Sequence, residues 1–117
     1  MTSLIVCIKR KPGMTREAFS DHWRNTHAPL IKTCPDFTRH LASYVQYHMT
    51  DGESGVAKMF GVSADFDGVA VLTFHSAGNL AQAFSEPRYI AQVRPDEFNF
   101  VDLENSVSFL TDAFAVL

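Results

Sequence analysis

The sequence has few of the features that mark secreted and membrane proteins. Its 117 residues include only two cysteines, Cys7 and Cys34. Two cysteines are too few for a disulfide framework, and without a secretory signal we expect reduced thiols. The apolar stretch in the first ten residues is too short for a signal peptide. No apolar run approaches the roughly 20 residues that cross a bilayer. We therefore predict a cytoplasmic protein with no membrane partner.

Basic charge is also scarce. Ten Lys and Arg residues stand against 13 Asp and Glu residues, which gives a net charge of -3, and the only basic run covers residues 9–11. Because nucleic acid needs a concentrated basic surface, we exclude it as a main partner. The chain does contain 46% hydrophobic residues, ten Phe among them, and 20% charged residues. This composition is typical of a globular protein, and the length predicts a single domain over residues 1–117.

The hydrophobic period changes along the chain in a regular way. Short runs rich in β-branched and aromatic residues alternate with segments of helical spacing. The pattern predicts strands over residues 3–9, 39–49, 66–74 and 105–114, with helices after Thr15 and over residues 77–93. TDGESG, residues 50–55, is predicted to be a loop. The resulting order, β-α-β-β-α-β, predicts an α+β ferredoxin-like fold, an antiparallel four-stranded sheet with both helices on one face.

The first helix has clear start and stop signals. Thr15 is a good N-cap, and Phe19, Trp23 and His27 then fall at helical spacing, which forms one stripe. Pro29 disfavours helical geometry in the residue before it. We therefore expect the helix to end near His27, with its imidazole at the far end of the stripe.

The second strand predicts where a cavity lies. Alternation separates two sets of side chains, Leu41, Ser43, Val45, Tyr47 and Met49 on one face and His40, Ala42, Tyr44, Gln46 and His48 on the other. The first set is more apolar, so we expect it to meet the helices. The second set is too aromatic for a free surface and too polar for a dry core. We predict that it lines a cavity enclosed between the sheets of two protomers, and hence a homodimer.

Four segments resemble one known family. IKRKPGMTREAFSDHWRNTHAPLI, YVQYH, DGVAVLTFHS and RPDEFNFVD occur in this order and resemble the EthD family of the dimeric α/β-barrel superfamily. The resemblance implies a homodimeric ferredoxin-like barrel. The family includes a component linked to ether degradation. Relatives in the superfamily include aromatic polyketide cyclases, dehydratases, decarboxylases and a muconolactone isomerase, which move protons without a metal or organic cofactor.

The resemblance also implies catalytic residues. His27 matches the helix-end histidine that serves related isomerases and cyclases as an acid/base group, and imidazole titrates near neutral pH. The alternative is that His27 only caps the helix end. Tyr44 and His48 match a tyrosine and a histidine of the family's second strand, where they could bind a carbonyl or enolate oxygen. The alternatives are an interface role for Tyr44 and a solvated strand end for His48.

Three further residues are predicted to bind substrate. Trp23 lies on the helix stripe, Gln46 shares the strand face of Tyr44, and Asp102 matches the family's late acidic position. Asp102 could instead cap a turn or pair with a basic side chain.

No metal or cofactor is predicted. His22 and His27 are five residues apart, which places them about 140° apart around an α-helix, so they cannot form the i, i+4 zinc pair. No other His, Cys or Asp cluster has ligand spacing, and the sequence has no Gly-rich phosphate loop.

The predicted function is that of a cofactor-independent enzyme of small-molecule catabolism or biosynthesis. It would act by proton transfer, as an isomerase, cyclase or dehydratase, on a small apolar cyclic or aromatic carbonyl compound. One alternative is a non-catalytic small-molecule-binding accessory protein, because the same cavity would serve both. A second is a haem-binding or oxygen-using monooxygenase, because other branches of the superfamily use the same barrel in that way.

Overall fold

The computed structural model describes residues 1–50, 55–61 and 65–117. Its strands are β1 (Thr2–Ile8), β2 (Leu41–His48), β3 (Gly68–Phe74) and β4 (Val107–Asp112). Its α-helices are α1 (Arg16–His22), α2 (Ala28–Lys32), α3 (Pro35–Thr38), α4 (Gly55–Met59), α5 (Ala77–Ser85) and α6 (Arg94–Phe100). Two π-helical segments are named here the first π turn (Trp23–His27) and the second π turn (Tyr89–Val93). The predicted loop at 50–55 falls mainly on 51–54, outside the described residues.

All four strands pair antiparallel, in the order β2-β3-β1-β4. The core lies between one face of this sheet and the helices, and its largest fully buried side chains are Trp23, Phe19, Phe37, Phe74, Phe100 and Val93. The predicted α+β ferredoxin-like fold is therefore confirmed. None of the described helices is long and apolar enough to cross a membrane.

The first helix begins as predicted but does not end as predicted. Thr15 Oγ1 accepts a hydrogen bond from the Ala18 amide at 3.1 Å, which confirms the N-cap. The prediction of a stop near His27 is wrong, because the helical backbone continues through the first π turn into α2, with Pro29 in its first turn. The Ala28 amide bonds to the Trp23 carbonyl, five residues back. This wider turn accommodates a proline, which lacks an N–H and would crowd a regular helical turn.

Leu41 packs against the core as predicted, but the predicted faces of β2 are reversed after it. A register shift between Leu41 and Ser43 marks a β-bulge, which changes the alternation after the first residue of the strand. The polar set faces the helices and comprises Tyr44, Gln46 and His48. Val45 and Tyr47 face away from the helices and are 41% and 55% exposed. Sequence alternation alone could not reveal the extra residue that causes this reversal.

Two helical segments differ from the prediction. The second helical region, predicted over residues 77–93, is interrupted after Ser85, but it resumes as the second π turn and continues in α6 to Phe100. The sequence pattern predicts no helix between the first helix and β2, yet the short helix α3 lies there. The extension through α6 matters for the site, because it brings a carboxylate beside the end of the first π turn.

Candidate active site

The sheet and the helices of one chain enclose a cavity of about 290 Å³. Its aromatic walls are formed by Trp23, Phe37, Phe84, Tyr89 and Phe100, and aliphatic side chains of β1 and β3 form its floor. Six polar side chains also line it, namely His27, Tyr44, Arg94, Glu97, Ser106 and Ser108. This cavity lies within one chain, whereas the cavity predicted from the sequence lies between the sheets of two protomers. An apolar cavity with a few convergent polar groups is typical of a small-molecule site.

His27 lies at the end of the first π turn and is 5% exposed. Its Nδ1 lies 2.8 Å from Asp96 Oδ2. Because an ionised carboxylate can only accept, Nδ1 carries the hydrogen, and the neutral ring keeps a lone pair on Nε2. Burial lowers the pKa of His27, while the hydrogen bond to Asp96 opposes this effect. Among the described residues Nε2 has no hydrogen-bond partner, yet it is not sealed off, so it can act as a base toward a ligand in the cavity.

Asp96, at the start of α6, is a site residue that the sequence did not indicate. Its carboxylate is also 2.9 Å from His22 Nε2 and accepts a 3.0 Å hydrogen bond from Asn99 Nδ2. Burial acts to raise the pKa of Asp96, but hydrogen bonds from Asn99, His27 and His22 outweigh it, and the pKa is lowered. Asp96 stands in RPDEFNFVD, but no local spacing indicates a contact with a histidine 69 residues earlier.

Tyr44 and Trp23 lie together on the cavity wall, as a pair joined by a hydrogen bond. Trp23 Nε1 donates to the Tyr44 hydroxyl at 3.3 Å. Burial raises the pKa of Tyr44 to about 12, so the hydroxyl stays neutral and can donate its hydrogen to a ligand oxygen. The indole ring packs against Gly68, where a Cβ would lie 2.5 Å from Trp23 Cζ3. Glycine is therefore the residue that lets Trp23 sit at this depth.

A second polar pair on the cavity wall comes from α6. Arg94 Nη1 donates to Glu97 Oε2 at 2.8 Å. Burial raises the pKa of Glu97 and of the neighbouring Tyr89 hydroxyl. Sequence analysis did not identify these three residues, because an i, i+3 pair of opposite charges is also what an exposed helix face contains. In the structure the pair adds two further polar groups to the cavity wall.

Three residues that the sequence predicted for the site do not line the cavity, namely His48, Gln46 and Asp102. His48 Nδ1 lies 3.0 Å from Ser20 Oγ, and its Nε2 lies 3.0 Å from Gln46 Oε1. Gln46 Nε2 donates to the Trp23 carbonyl. Asp102 accepts from the amide and side chain of Asn105, which closes the turn before β4. These contacts do not support a role in chemistry or substrate binding, so we leave the three residues out of the proposed site.

No group of three His, Cys, Asp or Glu side chains within residues 1–50, 55–61 and 65–117 is arranged to hold a metal ion. His22 and His27 instead share the carboxylate of Asp96. That the protein works without a metal or cofactor stays a prediction.

The family comparison covers most of this site. The EthD domain matches residues 11–104, a segment that contains His27, Tyr44 and Asp96. The chain belongs to the EthD family. The resemblance noted in the sequence is thereby confirmed. The match also includes Arg94 and Glu97, whereas Ser106 and Ser108 lie beyond it.

Two curated relatives of this EthD chain are named as dehydratases. The conidial pigment biosynthesis dehydratase EthD of Metarhizium robertsii is 27% identical over 111 residues, which cover 88% of this chain and 75% of the relative. The dehydratase aurZ of Gibberella zeae is 23% identical over 114 residues, which cover 91% of this chain and 72% of the relative.

Solved structures share the fold. An EthD family protein from Bacillus halodurans superposes with a TM-score of 0.69 at 20% identity, covering 97% of this chain and 99% of its own. A protein of unknown function from Bacteroides fragilis, described as dimeric and ferredoxin-like, superposes with a TM-score of 0.64 at 10% identity, covering 96% and 95%. At these identities the likeness shows the fold alone, with a dimeric example among the neighbours.

Proposed function

We propose that this EthD protein is a cofactor-independent dehydratase that acts on a small, mostly apolar cyclic or aromatic carbonyl compound. The observation that carries the proposal is the buried His27, which lines an aromatic cavity and whose Nδ1 is held 2.8 Å from Asp96, so that the lone pair of the neutral ring is on Nε2. The names of the two fungal relatives favour dehydration over the isomerase and cyclase reactions that the sequence also suggested.

Dehydration of a β-hydroxy carbonyl compound needs a base and then an acid, and one imidazole can serve as both. His27 Nε2 takes a proton from the carbon beside the carbonyl, and the Tyr44 hydroxyl donates a hydrogen bond to the oxygen that becomes an enolate. The bond to the leaving hydroxyl then breaks as the C=C bond forms. The imidazolium returns its proton to that hydroxyl, which leaves as water. No electrons are gained or lost, so the reaction needs no oxidant or reductant.

The walls of the cavity define the substrate class. Phe37 and Tyr89 stack with ring centroids 4.5 Å apart, and Phe84 meets Tyr89 nearly edge-on at 5.3 Å. Flat walls of this kind favour a planar ring. The Arg94–Glu97 pair on the same side can bind hydroxyl or carbonyl groups at the edge of that ring. A phenolic compound that carries a β-hydroxy ketone combines these features.

We also propose that the protein is a homodimer. The sheet face that points away from the helices carries a group of apolar side chains, which includes Ile5, Cys7, Val45, Tyr47, Val71 and Phe109. Tyr47 and Phe109 are 55% and 45% exposed. Contiguous apolar patches of this kind usually mark an interface. Sedimentation should therefore show a dimer that Phe109→Asp dissociates; a stable wild-type monomer at micromolar concentration would contradict the proposal.

The function is tested with a series of aromatic β-hydroxy ketones and chelator-treated protein. Water loss is followed by mass spectrometry and by the absorbance of the conjugated product. Proton removal is followed separately in D₂O, by deuterium exchange into substrate analogues that lack the leaving hydroxyl. Tyr44→Phe should lower turnover by about 10- to 100-fold, because the enolate loses its hydrogen-bond donor. Tyr47→Phe removes a hydroxyl from the opposite face of the same strand and should leave turnover unchanged.

The same experiment separates the alternatives. Tight binding of the ketones with neither water loss nor deuterium exchange would assign the cavity to a small-molecule-binding accessory protein. A haem spectrum in protein purified from haem-supplemented cells would assign it to the haem-binding alternative. Equal turnover in Tyr44→Phe and Tyr47→Phe would remove Tyr44 from the mechanism.

A further inference from the structure

One carboxylate serves two imidazole rings. Asp96 Oδ2 lies 2.8 Å from His27 Nδ1, and Asp96 Oδ1 lies 2.9 Å from His22 Nε2. The side chains of His22, Asp96 and His27 are 22%, 10% and 6% exposed, in that order. The three groups therefore form a hydrogen-bonded line from the protein surface to the cavity.

The first π turn is what brings the two histidines together. In an α-helix, residues five apart point about 140° away from each other. A π turn bonds residue i to residue i+5 and so returns position i+5 to nearly the same side. Both rings also pack against Phe100, with centroids 4.8 Å away for His22 and 5.0 Å for His27. The pairing of His22 with His27 is therefore built into the backbone and supported by α6.

Sharing one charge couples the two rings. Asp96 supplies a single negative charge, so it can fully compensate only one imidazolium at a time. A proton on His22 disfavours a second proton on His27, and this proximity acts to lower the pKa of His27, behind the larger effect of burial. The charged groups that act on the His27 ring are Asp96 and His22. Arg94 and Glu97, on the same cavity wall, pair with each other at 2.8 Å.

We propose that His22 is a positioning residue of the cavity site: through the shared Asp96 carboxylate, the charge on this partly exposed ring sets how readily the buried His27 takes up a proton. Under the proposed function, on which the catalytic meaning of this inference rests, a charge on His22 acts on a base that solvent barely reaches. The coupling itself requires no substrate and no turnover.

The coupling is measured by NMR, from the titration of the His27 ring in the whole protein, with the signal assigned by its loss in His27→Gln. Replacing His22 with Gln removes its charge and should move the His27 midpoint upward by about half a pH unit or more. Replacing it with Lys makes the charge permanent and should move the midpoint downward. The matched control is His75→Gln, which removes an exposed imidazole elsewhere and should leave the His27 midpoint unchanged.

The wild-type curve provides a second test that does not depend on how well the variants fold. Coupled sites titrate over a wider range than a single site, so the His27 curve should be broader than that of one independent group. An ordinary single-site curve for His27, with the same midpoint in His22→Gln and His22→Lys, would overturn the proposal. Because the readout needs no substrate, that result is distinct from a failure to find dehydratase activity.

Discussion

The two π turns are built alike but contribute different chemistry. Each begins with a buried aromatic residue on the cavity wall, Trp23 in the first and Tyr89 in the second. Each lies just before a proline in the next helix, Pro29 and Pro95. In each, the amide after the turn bonds to a carbonyl five residues back. A π turn therefore precedes a proline within a continuing helical segment on both sides of the cavity.

The two turns differ in the residues at and beyond their ends. The first π turn ends in His27, and the second ends in Val93, which is fully buried. The helix after the second turn instead supplies Asp96, two residues inside α6, which bonds to His27. The first π turn therefore supplies the titratable ring of His27. The second π turn supplies the packing of Val93, and the helix that follows it supplies the carboxylate of Asp96, which orients His27. Backbone shape alone does not define a site, since its chemistry depends on which residue occupies each equivalent position.

Single substitutions at the ends of the two turns should have opposite effects, one on turnover and the other on stability. The loss of turnover is the largest effect that we expect. His27→Gln should lower turnover by a factor on the order of 10² to 10⁴, because the proton carrier is lost. Gln can still donate to Asp96, so the free energy of unfolding should change by about 1 kcal/mol or less. Val93→Ala should destabilise the fold by about 1–3 kcal/mol and leave turnover nearly intact. Chemical denaturation and steady-state assays measure both; if His27→Gln were destabilised but fully active, His27 would be only a structural residue.

Asp96→Asn tests the charge that joins the two turns. Asn can accept a hydrogen bond from Nδ1, but it removes the negative charge that stabilises imidazolium and weakens the selection of the correct tautomer. We expect turnover to fall by about 10²-fold or more, with the substrate's KM changed little. Asn99→Ala, which removes only one hydrogen-bond donor to Asp96, serves as the control and should lower turnover by less than about tenfold. A wild-type rate in Asp96→Asn would show that His27 does not need its carboxylate.

The sequence could predict His27 but not Asp96, and the reason is physical. His27 belongs to a local stripe with Trp23, and its family match adds a chemical role. Asp96 acquires its role only when α6 packs against the first π turn, which is a tertiary contact across 69 residues. Strand and helix order follow from local hydrophobic period, so the ferredoxin-like fold was predictable. The bulge after Leu41 adds one residue to the strand without changing the composition, so the sheet face on which Tyr44 lies could not be predicted.

Substitutions of the aromatic residues that begin the two turns should have smaller effects on turnover, and the two effects should differ. Trp23→Phe removes the donor to Tyr44 and leaves a gap beside Gly68, so turnover should fall by about tenfold and stability by about 1–2 kcal/mol. Tyr89→Phe keeps the ring that stacks on Phe37 at 4.5 Å and should change turnover by less than about threefold. Steady-state kinetics and thermal unfolding of the two variants measure the difference. Equal losses would mean that the two turns position the substrate equally.

The smallest expected effect is the pH dependence of stability. The pKa of His27 is lowered in the folded protein by burial, so the unfolded chain binds this proton more tightly. The free energy of unfolding should therefore decrease as the pH falls from the ordinary imidazole range through the lowered pKa of His27. His27→Gln should flatten this part of the curve, by about 1 kcal/mol or less, whereas Val93→Ala should shift the whole curve without changing its slope. Parallel curves for wild type and His27→Gln would contradict the lowered pKa.

Gly68 does not line the cavity, but it affects the depth of the cavity through the position of the Trp23 indole. The start of β3 lies behind the indole of Trp23, and even one methyl group there would meet the ring at 2.5 Å. A bulkier residue would push the indole forward and make the cavity shallower, while every residue that touches the ligand stayed the same. Relatives with different substrates could thus diverge in the depth of their pocket through a position that never contacts a substrate. A comparison restricted to contact residues would classify two such enzymes as having the same specificity.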